Sequence, residues 1–150
     1  MQHIWIFQLH TAMSAGTQAT VQQDLNAFLE AWKAHGTPVP GTAEIRYDQF
    51  VIVQATPGAT SGCSIDSMTH GVEAILKKVK AEIAPNNLIF YRTNEGGIDK
   101  VDFREVSAAI AGGHMHADTI IYDASMGQEN DLNKWEVRLG ESWLARFVPA

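Results

Sequence analysis

Two stretches of helical periodicity, set among strand-like segments, most constrain how this chain can fold. Apolar residues recur every three or four positions at about residues 18–35 and 64–83, the spacing that places them on one face of a helix. Segments rich in β-branched and aromatic residues predict strands, and they lie at 3–10, 42–47, 50–53 and 88–91. The resulting order is strand, helix, strand, strand, helix, strand.

This order is that of a split βαβ motif. It predicts an α+β fold with a ferredoxin-like core at residues 1–93, in which an antiparallel sheet carries both helices on one face. Asp48-Gln49 is expected to turn the chain between the second and third strands, although this pair is not a preferred two-residue hairpin turn.

Residues 94–150 predict a small α/β extension of this core. Asp102 with Glu105 forms a capping-box pattern that opens a short helix. A strand is expected at 119–122, and Ser142 is placed to cap a last helical turn. No linker is long enough to require a second domain, so we expect this subdomain to pack on the core as one domain.

Composition limits the classes of partner. A length of 150 residues with 45% hydrophobic content is typical of one soluble globular domain. The formal net charge of -6 argues against a nucleic-acid partner, since the largest basic cluster is Lys77, Lys78 and Lys80. No apolar run is long enough to cross a membrane, and the first residues lack the features of a signal peptide. The single cysteine, Cys63, fits a reducing compartment, so we expect a cytoplasmic protein without a cofactor.

The most informative stretch for function joins the apolar strand at 50–53 to the second helix. It is rich in small residues and contains the single cysteine. Backbone N–H groups at a helix N-terminus attract anions and lower the pKa of a thiol. The sequence therefore predicts a site for a small anionic ligand, with candidate binding residues Gly58, Ser61, Gly62, Cys63, Ser64 and Asp66.

Cys63 and His70 are the candidate catalytic residues. They are seven positions apart, which on a regular helix is nearly one face but about 10 Å along the axis, too far for a hydrogen bond between nucleophile and base. The loop also has neither the lysine of a Walker A motif nor the arginine of a cysteine-phosphatase loop. A purely structural interpretation is favoured, because serine and glycine often precede helices and a lone cysteine is often a small buried hydrophobe.

His114 and His116 are a weak candidate pair for a metal. Alternate histidines on a strand point the same way and can bind zinc, with Asp118 as a third ligand. The segment follows Gly112-Gly113, which favours an exposed turn instead, so we expect no metal. Trp135 and Trp143 are expected in the core, and either one is also a candidate for a partner surface.

Several segments spread over nearly the whole chain carry a family resemblance, namely 3–8, 25–36, 46–47, 50–53, 61–67, 118–122, 135–139 and 141–143. In these segments the chain resembles a family of small bacterial proteins of unassigned function. Members are often labelled "ABC transporter ATPase", which implies nucleotide hydrolysis. Because the Walker A lysine is absent here, we expect no ATP hydrolysis.

Residues 97–123 are also similar to a bacterial module related to GYF domains. The shared order is a strand, a short helix, a glycine and a strand that begins Asp118-Thr119-Ile120. The similarity implies protein contacts through the C-terminal region, although the aromatic Gly-Pro-Phe hallmark is missing.

Two functional hypotheses follow. The first is a non-catalytic binding or adaptor protein, with a site for an anion or small ligand at residues 58–64 and a protein partner at the C-terminal region. The alternative is a thiol-dependent enzyme or redox sensor that uses Cys63. The exposure of Cys63 and the charged groups near its sulfur distinguish them.

Overall fold

A computed structural model describes residues 2–124 and 129–149, which divide into two compact units. Unit 1 contains the described residues of 1–84 and 127–130, and unit 2 those of 85–126 and 131–150. The main division therefore lies at Ala84 and Pro85, before the strand that the sequence assigned to the core. Both units contain antiparallel sheets and helices, so the predicted α+β class is confirmed.

The elements are as follows in chain order. The strands are β1 (Gln2–Gln8), β2 (Lys33–Ala34), β3 (Thr37–Pro38), β4 (Gly41–Arg46), β5 (Phe50–Ala55), β6 (Leu88–Arg92), β7 (Ile98–Asp102), β8 (Ile120–Tyr122), β9 (Glu129–Asn130) and β10 (Glu136–Arg138). The α-helices are α1 (Ala15–Glu30), α2 (Gly62–Lys78) and α3 (Val106–Ala111).

The sheet of unit 1 has the strand order β4-β5-β1-β9. Because β5 is antiparallel to both β1 and β4, β1 and β4 run parallel with β5 between them, as a split βαβ motif requires. One face of the sheet carries Val51 and Val53, which share a core with Leu25 of α1 and Val72 of α2. Both helices therefore pack on the same face, as the sequence predicted.

The predicted fourth strand of a ferredoxin-like sheet does not join this sheet. β6 belongs to the sheet of unit 2, whose order is β10-β8-β6-β7. In unit 1, residues next to β1 are already paired, since Leu9 bridges Ile83 and the N–H of Ala84 donates to the carbonyl of Gln8 at 2.7 Å. Pro85 has no N–H with which to continue this pairing, and β6 instead forms a hairpin with β7.

Both long helices are shorter than their sequence patterns. α1 begins after Ser14, whose side chain accepts a hydrogen bond from Thr17 N–H, and it ends at Glu30, five residues before the predicted limit. α2 ends at Lys78 rather than near residue 83, because Lys80 adopts a left-handed backbone with φ of 60°. Apolar spacing continues past each end because the following residues still face the core.

The β4–β5 hairpin also turns one residue earlier than predicted. Arg46 pairs with Phe50, and Tyr47 and Asp48 both have positive φ in the connection between them. A tyrosine with a left-handed backbone conformation, as at Tyr47, is uncommon. The sequence pattern therefore predicted Tyr47 in the strand and the turn at Asp48-Gln49.

Unit 2 has a smaller core of its own. Ile121 of β8 and Val106 of α3 are buried in it, together with Leu139 and Leu144 of the C-terminal segment. That segment is built from short 3-10 helices, the last of which is Trp143–Phe147. Ser142 caps this last helix by accepting a hydrogen bond from Leu144 N–H at 3.1 Å, as the sequence predicted.

Trp32 links the two helices of unit 1, so its replacement by phenylalanine is a test of this packing. The buried indole N–H donates to the carbonyl of Ser64 at 2.8 Å. Trp32→Phe removes the donor and part of the ring, and we expect the free energy of unfolding to fall by about 1–3 kcal/mol. Urea denaturation measures the change. Trp143→Phe, at an exposed tryptophan, is the matched control and should change stability by less than about 0.5 kcal/mol; equal effects of the two variants would contradict the assignment.

Candidate functional site

The predicted ligand loop connects the end of β5 to α2. Gly58 has a φ of 83°, a conformation that favours glycine. Ala59 N–H donates to the carbonyl of Thr56 at 3.2 Å, which closes a tight turn. Thr60 Oγ1 then lies 3.4 Å from His3 Nδ1. The loop is therefore a compact turn joined by a side chain to the first strand.

Ser61 and Ser64 form a reciprocal cap at the start of α2. Ser61 Oγ accepts from Ser64 N–H at 3.2 Å, and Ser64 Oγ accepts from Ser61 N–H at 2.7 Å. The hydroxyl of Ser64 also donates to the carbonyl of Ser61 at 2.9 Å, and Ser64 is only 2% exposed. Both hydroxyls thus satisfy the helix terminus itself, while the N–H groups of Gly62 and Cys63, at the first two helical positions, have no acceptor within the helix.

The remaining candidates lie on the exposed side of α2. Cys63 is exposed, as are Asp66 and His70, while Met68 and Val72 are buried on the opposite side. This is the arrangement that the helical periodicity predicted. Because α2 is a regular helix across this segment, Cys63 and His70 are separated by about 10 Å along its axis. The structure therefore does not bring them together as a nucleophile and base.

The charges along α2 agree with its dipole. Its first turn has no acidic residue, and its last turn carries Lys77 and Lys78. Lys78 Nζ lies 3.6 Å from a carboxylate oxygen of Asp24 on α1. Cys63 is the one titratable side chain in the first turn, where the helix N-terminus carries a positive partial charge.

The two histidines of the metal hypothesis lie in the turn before β8. The N–H of His114 donates to the carbonyl of Ala109, and the N–H of His116 donates to Thr119 Oγ1. Both side chains are exposed, and Met115 between them is buried. Among the described residues there is no group of three or more His, Cys, Asp or Glu side chains that could hold a metal ion.

An aromatic surface at the C-terminal segment was only partly indicated by the sequence. Trp143 is 44% exposed, whereas Trp135 is fully buried and is excluded from any partner surface. The Arg146 guanidinium lies 5.8 Å from the ring centroid of Trp143 and 4.8 Å from that of Phe147. Leu144 and the Ser142 cap hold this helix on the core of unit 2, and Phe147 is partly buried against the same core, so the exposed Trp143 and Arg146 have a fixed support. We call Trp143, Arg146 and Phe147 the aromatic surface.

Asp102 is the most strongly perturbed acid in the described part of the chain. Its carboxylate accepts two hydrogen bonds from the Arg104 guanidinium, at 2.8 and 2.9 Å, and one from Asn87 Nδ2 at 2.8 Å. Arg104 N–H donates to it as well, which caps the following 3-10 helix. These hydrogen bonds hold the pKa of Asp102 well below its usual range. The arrangement is structural, because it fixes the end of β7.

The Asp102 interactions should make unit 2 sensitive to acid. Since the pKa is lower in the folded state, the stabilisation is complete above the unfolded value of about 4 and is lost progressively as the pH falls below it. We expect Asp102→Asn to lower the stability of the protein at neutral pH. The variant should then lose less additional stability than the wild type as the pH is lowered. Thermal unfolding of both proteins between neutral and acidic pH measures this. An unchanged pH profile in the variant would contradict the role of Asp102.

Comparisons with known proteins add no assignment. Models of protein families, curated proteins and solved structures returned no match to the chain. Among the described residues, no helix has both the length and the apolar character needed to cross a membrane.

Proposed function

We propose that the chain is a non-catalytic binding or adaptor protein that contacts a protein partner through the aromatic surface. The observation that carries this proposal is the exposure of Trp143 beside the Arg146 guanidinium. Tryptophan and arginine are the side chains most enriched among residues that dominate binding energy at protein interfaces. We also propose that the chain belongs to the family of small bacterial proteins that it resembles in the sequence segments described above.

The support beneath the aromatic surface favours recognition by preformed contacts. Leu144 is fully buried directly after Trp143, and Ser142 Oγ donates to the carbonyl of Leu139 at 2.7 Å. A fixed backbone loses little conformational freedom on binding. The partner best suited to this surface offers an apolar pocket for the indole and a carboxylate for the guanidinium. With a net charge of -6, nucleic acid is not part of the proposal.

Replacing Trp143 by alanine tests this function. Immobilised wild-type protein and the variants Trp143→Ala and Arg146→Ala are compared for retained proteins, with Phe103→Ala as the matched control. Phe103 is an exposed aromatic residue of the same unit. We expect a partner that binds the wild type and Phe103→Ala equally and binds Trp143→Ala at least about thirtyfold more weakly, the effect of an interface residue worth about 2 kcal/mol. A partner lost equally from Phe103→Ala, or retained by Trp143→Ala, would contradict the proposal.

A second candidate function uses Cys63 and the start of α2. The exposure of the thiol in the first turn of a long helix favours it, because a reagent or ligand in solvent can reach the sulfur. The N–H groups of Gly62 and Cys63 would contact a small anionic ligand at the same place. In this candidate, Cys63 serves ligand contact or redox sensing, and His70 takes no part as a base.

Alkylation of the native protein tests the second candidate. Iodoacetamide should modify Cys63 without denaturant, because the sulfur displaces iodide only where the reagent can reach it. Mass spectrometry counts the added group, and Cys63→Ser is the blank. Inorganic phosphate, present as a competing anion, should slow the modification if the first turn binds anions. A thiol that reacts only after unfolding would make Cys63 a core residue and remove this candidate.

A further inference from the structure

The outer edge of the sheet in unit 1 presents backbone groups without a neighbouring strand. Within the described residues, β4 pairs only with β5. The carbonyls of Pro40 and Arg46 accept hydrogen bonds from the β5 side, from Thr56 N–H and Gln49 N–H. Because backbone groups alternate along an antiparallel strand, those of the odd-numbered residues Gly41, Ala43 and Ile45 point away from β5. Such an edge is a template for a further strand.

A groove runs between this edge and α1. Its volume is about 700 Å³, within the range of about 300–1,000 Å³ that is usual for ligand sites. The lining residues come from one face of α1, from the segment before β4 and from β4 itself, and they include Gln22, Asn26, Glu30, Gly41 and Ala43. A strand edge beside a helix is the geometry in which extended peptides dock by strand addition.

A side chain occupies one position of the edge. Gln22 Nε2 donates to the carbonyl of Ala43 at 2.9 Å and to Asn26 Oδ1 at 2.9 Å. The Gln22 amide therefore stands where the N–H of an added strand would lie. At Gly41 the Trp32 ring lies 3.0 Å from the place of a Cβ, so the buried ring packs closely against the backbone at the start of β4.

The charge of the groove selects the occupant. Among the described residues that line it, Glu30 is the only charged one. Glu30 is also the last residue of α1, whose last turn contains no basic residue. The carboxylate and the negative end of the helix dipole therefore act together in favour of a cation.

We propose that the groove between α1 and β4 binds an extended peptide segment of another protein, which adds to the sheet beside β4 and directs a lysine or arginine side chain toward Glu30. The backbone of the peptide hydrogen-bonds with Gly41, Ala43 and Ile45, and one peptide N–H replaces the amide of Gln22. The proposal goes beyond the aromatic surface, because it concerns unit 1 and a partner with different chemistry.

Two pools of synthetic peptides test the proposal. Each peptide has about six residues, the usual length of a strand, with mixed Val, Ile, Thr and Tyr around one fixed central residue, which is Lys in the first pool and Glu in the second. Backbone amide signals of the isotope-labelled protein are followed by NMR during titration. We expect the Lys pool to shift the signals of Ala43 and Ile45 and to bind more tightly than the Glu pool.

A charge reversal and a backbone modification provide the controls. Glu30→Lys should weaken binding of the Lys pool about two- to fivefold and strengthen binding of the Glu pool by a similar factor. Glu73→Lys, at an exposed position of α2 outside the groove, should change neither. N-methylation of every second peptide amide should abolish binding in one frame and preserve it in the other, because only alternate N–H groups face β4.

Three results would overturn the proposal. The first is that the Lys pool does not shift the signals of Ala43 and Ile45, and the second is that Glu30→Lys prefers the Lys pool over the Glu pool as strongly as the wild type does. The third is that N-methylation has equal effects on binding in both frames. Signals of Trp143 and Arg146 report the aromatic surface in the same spectra. If the Lys pool shifts these instead of β4, the strand-addition site fails while the aromatic surface remains a binding site. Loss of partner binding by Trp143→Ala, in turn, leaves the outcome at β4 unaffected.

Discussion

The contacts of Trp32 hold together the part of unit 1 on which both of its candidate sites depend. The indole N–H bonds the carbonyl of Ser64 in the first turn of α2, and the ring lies against Gly41 at the start of β4. Its ring centroid is 6.1 Å from that of Trp5 in β1, in an edge-to-face arrangement. One buried side chain thus fixes the start of α2 and the end of the groove beside β4. A smaller residue would leave a cavity at their junction and would remove the indole hydrogen bond to the Ser64 carbonyl.

Periodicity predicted the first half of the fold because there the local pattern and the tertiary packing agree. The stripe through Leu25 and the stripe through Val72 do face the same side of the sheet. The prediction from apolar spacing was wrong where a local backbone conformation sets the direction of the chain. Lys80, which follows the end of the helix, has a positive φ, and the backbone of residues 82–84 then pairs with that of residues 8–10 at the end of β1. No spacing of apolar residues encodes either event, so β6 was assigned to the wrong sheet.

The candidate site shows a similar division between what sequence can and cannot tell. A helical wheel was sufficient to place Cys63 and His70 on the exposed side of α2, because that depends on helix geometry alone. The use of the hydroxyls was not predictable from residue types, since Ser61 and Ser64 suit a phosphate contact and a reciprocal cap equally well. Only the distances of 2.7 and 3.2 Å show that they satisfy the helix terminus. The same is true of Trp143 and Trp135, which sequence treated alike and which differ completely in exposure.

The two surfaces proposed for binding have one property in common. Each presents groups on a rigid support that can form further contacts with a partner. At β4, the carbonyl of Ala43 is bonded by a side chain in place of a strand, and such a bond can be exchanged for a backbone one at little net cost because donor and acceptor types are the same. At Trp143, a large aromatic ring is kept partly in water beside a cation while Leu144 next to it is buried. The start of α2 differs in part, since its reciprocal cap already pairs the hydroxyls of Ser61 and Ser64. Strand addition and an aromatic anchor both gain contacts without breaking the core, and this favours a binding role for the chain over one centred on Cys63.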